Sequence, residues 1–132
     1  MAGNPSPTKA VLFGSSLTVR FLIFRNYVNA TPLGYLDYLK LVKDAIVVIT
    51  DSGSIQEETT VLRVSCVTLR ENTERPVTVD VGTNYLIGTE PARIMATVSD
   101  IIQGNGKQGD IPPLWDGHAG ERIVQILLSS AL

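Results

Sequence analysis

The sequence is poor in the residues that build covalent and metal-held scaffolds: it has one cysteine, one histidine and one tryptophan in 132 residues. A lone Cys66 excludes an intrachain disulfide, and one Cys with one His offers no ligand set for a metal. Within Val64-Ser65-Cys66-Val67 it reads as a small buried hydrophobe. Charge of one sign is lacking too. Eleven basic residues stand against thirteen acidic ones, for a net charge of −2, and no Lys/Arg-rich run occurs. That argues against a surface that neutralises many phosphates, so no nucleic-acid partner is expected. Long apolar runs are missing as well. The stretches Val11–Phe13 and Phe21–Phe24 are too short for a membrane span or a signal-peptide core. The expectation is a cytoplasmic chain with no metal and no membrane partner, of a length that suits one domain.

What is present is an alternation of strand and helix signals. Residues 1 to 30 carry few of them. Asn4-Pro5-Ser6-Pro7 suggests a loose start, and Arg20-Phe21-Leu22-Ile23-Phe24 reads as one strand. From Thr31 the pattern sharpens. Thr31-Pro32-Leu33-Gly34 predicts a turn, and Tyr35, Leu36, Leu39 and Val42 then fall at helical spacing. The β-branched run Ala45-Ile46-Val47-Val48-Ile49 predicts a strand buried on both faces of a parallel sheet. Ser54 and Glu57 have the spacing of a capping box, which predicts a helix from there to about Arg63. Further strands are predicted over Ser65–Leu69 and Asn84–Ile87. A helix should follow Thr73, with Pro76 in its first turn, and another should open at Thr89-Glu90-Pro91 with Ile94, Val98, Ile101 and Ile102 as its apolar stripe. A last helix, capped by Asp116, should carry Ile123, Val124, Leu127 and Leu128 on one face. Such alternation calls for an α/β fold with a mostly parallel sheet and helices on both faces.

Open sheets of this kind take ligands outside the carboxyl ends of their strands. Thr50-Asp51-Ser52-Gly53-Ser54 fits that place, because it follows the most buried strand and opens a helix. A helix start offers bare amides and a positive dipole end to an anion, and Gly53 permits close approach. The alternative is a simple helix cap. Neither G-K-[ST] nor G-x-G-x-x-G is present. Glu58 shares a helix face with Ser54 and is either a ribose-binding carboxylate or a solvated acid. Arg75 is either an anion contact or the partner of Glu71 or Glu74. His118, in the first turn of the last helix with no local partner in sequence, reads as structural rather than catalytic.

The combination of segments is more specific than any one residue. Thr50-Asp51-Ser52-Gly53-Ser54-Ile55-Gln56-Glu57-Glu58 resembles the T-D-S-G-G-x-Q-E-E signature of the non-hydrolysing UDP-N-acetylglucosamine 2-epimerases. Asn72-Thr73-Glu74-Arg75-Pro76 resembles that family's T-T-E-R-P, and Pro32-Leu33-Gly34-Tyr35-Leu36-Asp37-Tyr38 its P-L-G-Y-x-D-F. Gly82-Thr83 with Leu86-Ile87-Gly88, and Asp116-Gly117-His118-Ala119 with Glu121-Arg122-Ile123, complete five ordered matches from about Thr31 to Leu132.

The resemblance implies a three-layer Rossmann-like domain, as in the C-terminal half of a B-type glycosyltransferase, over residues 31–132, behind an atypical leader at 1–30. It implies UDP or a UDP-N-acetylhexosamine as ligand and no cofactor. Ser52, Gly53 and Ser54 would hold the diphosphate, Glu58 the ribose, Arg75 the nucleotide, and Leu33 and Tyr38 would flank the uracil. Ser54 departs from the family, which has a second glycine there. The family's catalytic carboxylates and histidine belong to segments with no counterpart in this sequence, so no catalytic residue is assigned. The expectation is weak UDP binding without epimerisation by the chain alone, and either self-association or pairing with a separate N-terminal half. Two other readings stay open: an active enzyme once so assembled, or a non-enzymatic module that keeps only the fold.

Overall fold

The computed structural model describes residues 10–15, 18–23, 26–30 and 33–131. Asn4–Pro7, Phe24, Thr31 and Pro32, on which parts of the expected start, strand and turn fell, lie outside them.

One six-stranded sheet has the order β3-β2-β1-β4-β5-β6. Its strands are β1 (Ala10–Ser15), β2 (Thr18–Ile23), β3 (Asn26–Ala30), β4 (Ala45–Thr50), β5 (Ser65–Thr68) and β6 (Asn84–Leu86). The four strands β1, β4, β5 and β6 run parallel, in registers such as Val11 with Val47, Val48 with Cys66 and Val67 with Tyr85. β2 and β3 extend the sheet as an antiparallel meander from β1. The region before residue 31 thus holds three strands: the single strand anticipated near Arg20 corresponds to β2, and β1 and β3 flank it.

Five helices complete the described chain: α1 (Tyr35–Asp44), α2 (Gly53–Leu62), α3 (Pro76–Asp80), α4 (Pro91–Ile102) and α5 (Ala119–Ser130). The β-branched run makes β4 the spine, and alternation along it serves two cores. Val48 joins Leu12, Val42, Ile55 and Val64 beneath α1 and α2. Val47 and Ile49 join Val11, Val67 and Ile101 beneath α4. This is the three-layer α/β arrangement expected, with β4 buried from Val47 to Thr50.

Several helix details differ from the sequence reading. α1 turns Val42 inward with Tyr38 and Leu41 beside it, whereas Tyr35 and Leu36 face outward. In α4, Ile101 is buried and Val98 packs against that core, but Ile102 is exposed. α5 buries none of its residues, so its apolar side chains form a bare surface. Its N-cap is His118 and not Asp116, although Asp116 accepts the His118 amide at 3.0 Å and pairs with Arg122. No helix among the described residues is long and apolar enough to cross a membrane.

Candidate functional site

The carboxyl end of β4 runs into α2 with two residues between, Asp51 and Ser52. The backbone turns where the Thr50 hydroxyl accepts the Ser52 amide at 3.0 Å. The helix begins at Gly53 with Ser52 as N-cap, and Ser52 makes no capping hydrogen bond through its side chain. The expected capping box is therefore not formed. Ser54 is the second helical residue, two positions too late to cap. Its hydroxyl lies 3.3 Å from that of Ser52, so two hydroxyls stand together beside the first-turn amides. Positive φ among the described non-glycine residues occurs only at Arg63 and Leu114, so the backbone at Ser54 does not demand glycine.

Gly53 lets the flexible end of the Arg75 side chain come close, and a larger residue there would displace it. A Cβ there would sit 2.8 Å from Nη1 of Arg75. The guanidinium thus lies against the first residue of α2, carried by the loop between β5 and α3. Its Nε is 3.0 Å from Glu57 Oε2, and its Nη1 is 3.6 Å from Glu74 Oε2. Of the two ion-pair partners anticipated from sequence, Glu74 is present and Glu71 is replaced by Glu57. Glu57 is free for this role because it does not serve a capping box. The buried Nε–H is close to Glu57 in charge but is not aligned for a hydrogen bond, and it has no other partner.

Five residues given no site role in the sequence reading hold this edge together. Gln56 is fully buried, and its Oε1 accepts from the Thr73 hydroxyl at 2.6 Å and from Asn84 Nδ2 at 3.1 Å. Asn84 Nδ2 also donates to Thr78 Oγ1 at 3.1 Å, while Thr68 donates its hydroxyl to Asn84 Oδ1 at 2.6 Å. A buried amide left without partners costs about 1–3 kcal/mol, so this network is stable only because its members satisfy one another. A glutamine followed by two acids in a helix, and a lone Asn opening a strand, were the available signals. Neither can be told from a surface polar residue by spacing.

The nucleoside-side candidates lie beside α1 and α2. A groove of about 380 Å³ is lined by Tyr35, Leu39, Glu57, Glu58, Val61, Leu62 and Trp115. Glu58 accepts a hydrogen bond from the Tyr35 hydroxyl at 3.3 Å. Partial burial pushes the Glu58 carboxyl above its ordinary value, Tyr35 opposes that, and the Glu57 charge adds to it. Leu33 is exposed just before α1. Tyr38 packs against the core under α1, with its hydroxyl enclosed and without a partner. Burial, with the nearby Glu58 charge, holds the Tyr38 phenol well above its usual range. Ser52, Gly53, Ser54 and Arg75 are thus brought together, and Glu58 flanks them on the same helix. His118 stands at the start of α5 and has a local partner after all, Glu121 at 3.2 Å. Cys66 is buried, and burial raises its thiol to about 11. Among the described residues no His, Cys, Asp or Glu cluster is placed to hold a metal.

Comparison with known proteins bears on the same edge. The family model for UDP-N-acetylglucosamine 2-epimerase matches residues 7–128. The UDP-N-acetylglucosamine 2-epimerase of Methanocaldococcus jannaschii is 47% identical over 96 residues, which cover 73% of this chain and 26% of that protein. The Salmonella typhimurium enzyme of the same name is 37% identical over 108 residues, covering 79% of this chain and 29% of its own length. The crystal structure of the M. jannaschii epimerase in complex with UDP-GlcNAc and UDP superposes with a TM-score of 0.65 at 45% identity, over 76% of this chain and 27% of that one. The chain spans about a quarter of the length of the curated relatives it matches. With 122 of its 132 residues inside the family model, and the parallel sheet of its structural neighbours, this chain belongs to the UDP-N-acetylglucosamine 2-epimerase family.

Proposed function

We propose that this chain supplies the nucleotide-holding edge of a 2-epimerase-like protein. It takes UDP, or the UDP moiety of a UDP-N-acetylhexosamine, with residues 31–132 as the binding domain. The observation that carries the reading is the uncapped start of α2 at the carboxyl end of β4, with the Arg75 guanidinium against Gly53. Amides and helix dipole face one phosphate, and the guanidinium is a second cationic donor beside it. In this reading the Ser52 and Ser54 hydroxyls add donors, Glu58 takes the ribose diol, and Leu33 and Tyr38 flank the uracil. The epimerase bound to UDP-GlcNAc and UDP that superposes on this chain supports the ligand class.

Epimerisation at C2 requires proton transfer on both faces of the sugar. The described residues build one sheet and its helices, hence one wall of such a cleft. The isolated chain therefore binds UDP weakly, with Kd on the order of millimolar because one wall leaves the ligand wet, and does not turn over UDP-N-acetylglucosamine. The apolar face of α5 is the surface for self-association or for a further domain.

The test is a UDP titration followed by NMR on the purified chain. Saturable shifts at residues 52–58 are expected. Arg75→Ala should weaken binding by about tenfold, the loss of a charge-assisted contact. Ser54→Gly should change it by less than about threefold, since the backbone there accepts either residue. Shifts scattered over the surface, or indifference to Arg75→Ala, would sink the reading, as would measurable epimerase turnover for its inactive part.

A further inference from the structure

Arg75 is held at both ends of its own peptide unit. Its amide donates to Thr73 Oγ1 at 3.1 Å, and its carbonyl accepts the Thr78 hydroxyl at 2.7 Å and the Thr78 amide at 3.0 Å. The Thr73 hydroxyl in turn donates to Gln56 Oε1, and Thr78 Oγ1 accepts from Asn84, which also donates to Gln56 Oε1. The path Gln56–Thr73–Arg75–Thr78–Asn84–Gln56 is a closed ring of hydrogen bonds around the arginine's backbone. Gln56 stands on α2, the helix whose start faces the candidate anion, and its Nε2 donates back to the Ser52 carbonyl at 3.4 Å.

We propose that Gln56 is a positioning residue that fixes the spacing between the α2 amides and the Arg75 guanidinium, and that this spacing selects two linked phosphates over one. The proposal rests on the nucleotide reading above. The ring has no need to include the loop merely to stabilise the sheet, since Thr68 and Asn84 already join β5 to β6. What the added Gln56–Thr73 arm does is tie the arginine-bearing loop to the helix that would carry the other half of the grip. A side chain with three rotatable bonds beyond Cβ, like arginine's, sits over one residue only when its backbone is held, and here both backbone polar groups are bound. A monophosphate can use either the amides or the guanidinium and is insensitive to the gap between them. A diphosphate that uses both is not.

The experiment compares UDP with UMP on the full chain by NMR titration, in wild type, Gln56→Met and Thr73→Val. Thr73→Val is the milder change, because Thr73 is only half-buried and valine keeps its shape. It removes the arm while leaving the Gln56–Asn84 bond, so it reports even where Gln56→Met fails to fold. Wild type should prefer UDP over UMP by about tenfold, as one added charge-assisted contact implies, and Thr73→Val should bring that preference to within about threefold while UMP affinity stays put. The Arg75 Nε–Hε resonance of the free protein should move in the variant. Equal loss for both ligands, or an unchanged preference with an unmoved arginine resonance, would overturn the proposal. If wild type shows no saturable response to UDP, the nucleotide reading fails. A displaced Arg75 resonance in Thr73→Val would then still uphold the clamp, and an unmoved one would remove it too.

Discussion

The two ends of the domain use opposite chemistry. Around α2, α3 and β6 the interior is polar: Gln56, Thr59, Thr60, Thr68, Thr78, Thr83 and Asn84 are all buried. At α5 the reverse holds. Ile123, Val124, Ile126, Leu127 and Leu128 are each more than half exposed, and the helix is tied to the preceding loop by Arg122, through Asp116 and through the Leu114 carbonyl at 3.4 Å. Burying amides and hydroxyls adds little net stability, and baring five large apolar side chains adds none. A domain optimised only to fold would exchange the two. The first region holds a cationic side chain in one place, and the second leaves apolar area uncovered by the described residues.

That comparison is open to test, beginning with the largest effect. Ile49→Ala, in the core beneath α4, should cost about 2–5 kcal/mol in urea unfolding, whereas Leu127→Ser on α5 should stay within about 0.5 kcal/mol. An equal cost for the two would mean that α5 is packed in solution. On the polar side, Glu57→Gln should tighten UDP by about three- to tenfold, because a diphosphate no longer competes with a carboxylate for Arg75. Weaker binding would place Glu57 as a contact rather than a competitor. On the apolar side, the chain should show concentration-dependent mass in light scattering. Ile126→Ser combined with Leu127→Ser should return it to the monomer mass, and a wild-type chain already monodisperse would break that half of the comparison.

The smallest effect concerns Cys66. Its thiol is raised from 9.0 to about 11 by burial, so the folded state retains a proton that the unfolded chain loses. The contribution is fully present below pH 9, and stability should decline as pH rises from there toward 11. Cys66→Ala should flatten part of that slope, and the native thiol should resist alkylation at pH 8 until the chain is unfolded. Ready alkylation in the native state would show the pocket around β5 to be open.

Much of the architecture is readable from residue order. The run from Ala45 to Ile49 can hardly be anything but an interior parallel strand, and Asp51-Ser52-Gly53 after it marks a strand-to-helix turn. Proline placed α3 and α4 within a residue or two of where they start. The capping box misled because the serine with S-x-x-E spacing is Ser54, whereas the residue at the N-cap is Ser52. The Thr50 hydroxyl settles the turn by taking the Ser52 amide, and the helix starts one residue after Ser52. The helical stripe of α1 misled because Tyr35 and Leu36 are apolar by type but exposed, and Val42 is the residue of the stripe that is buried in the core. β1 and β3 escaped notice because their partners, β4 for one and β2 for the other, are identified by pairing rather than by any pattern within the strands.

Local sequence thus determined which segments after residue 34 are strands and helices, that β4 lies between two layers, and that a helix start with a glycine stands at its end. Those are properties of nearest neighbours along the chain, set by side-chain periodicity and backbone freedom. The tertiary structure alone decided that Arg75 lies on Gly53, that Glu57 rather than Glu71 meets it, and that Gln56, Thr73, Thr78 and Asn84 close around it. Each of those pairs joins residues from different elements. Hydrogen bonds are short and directional, so a contact of that kind exists only once the sheet register has brought its two ends within about 3 Å.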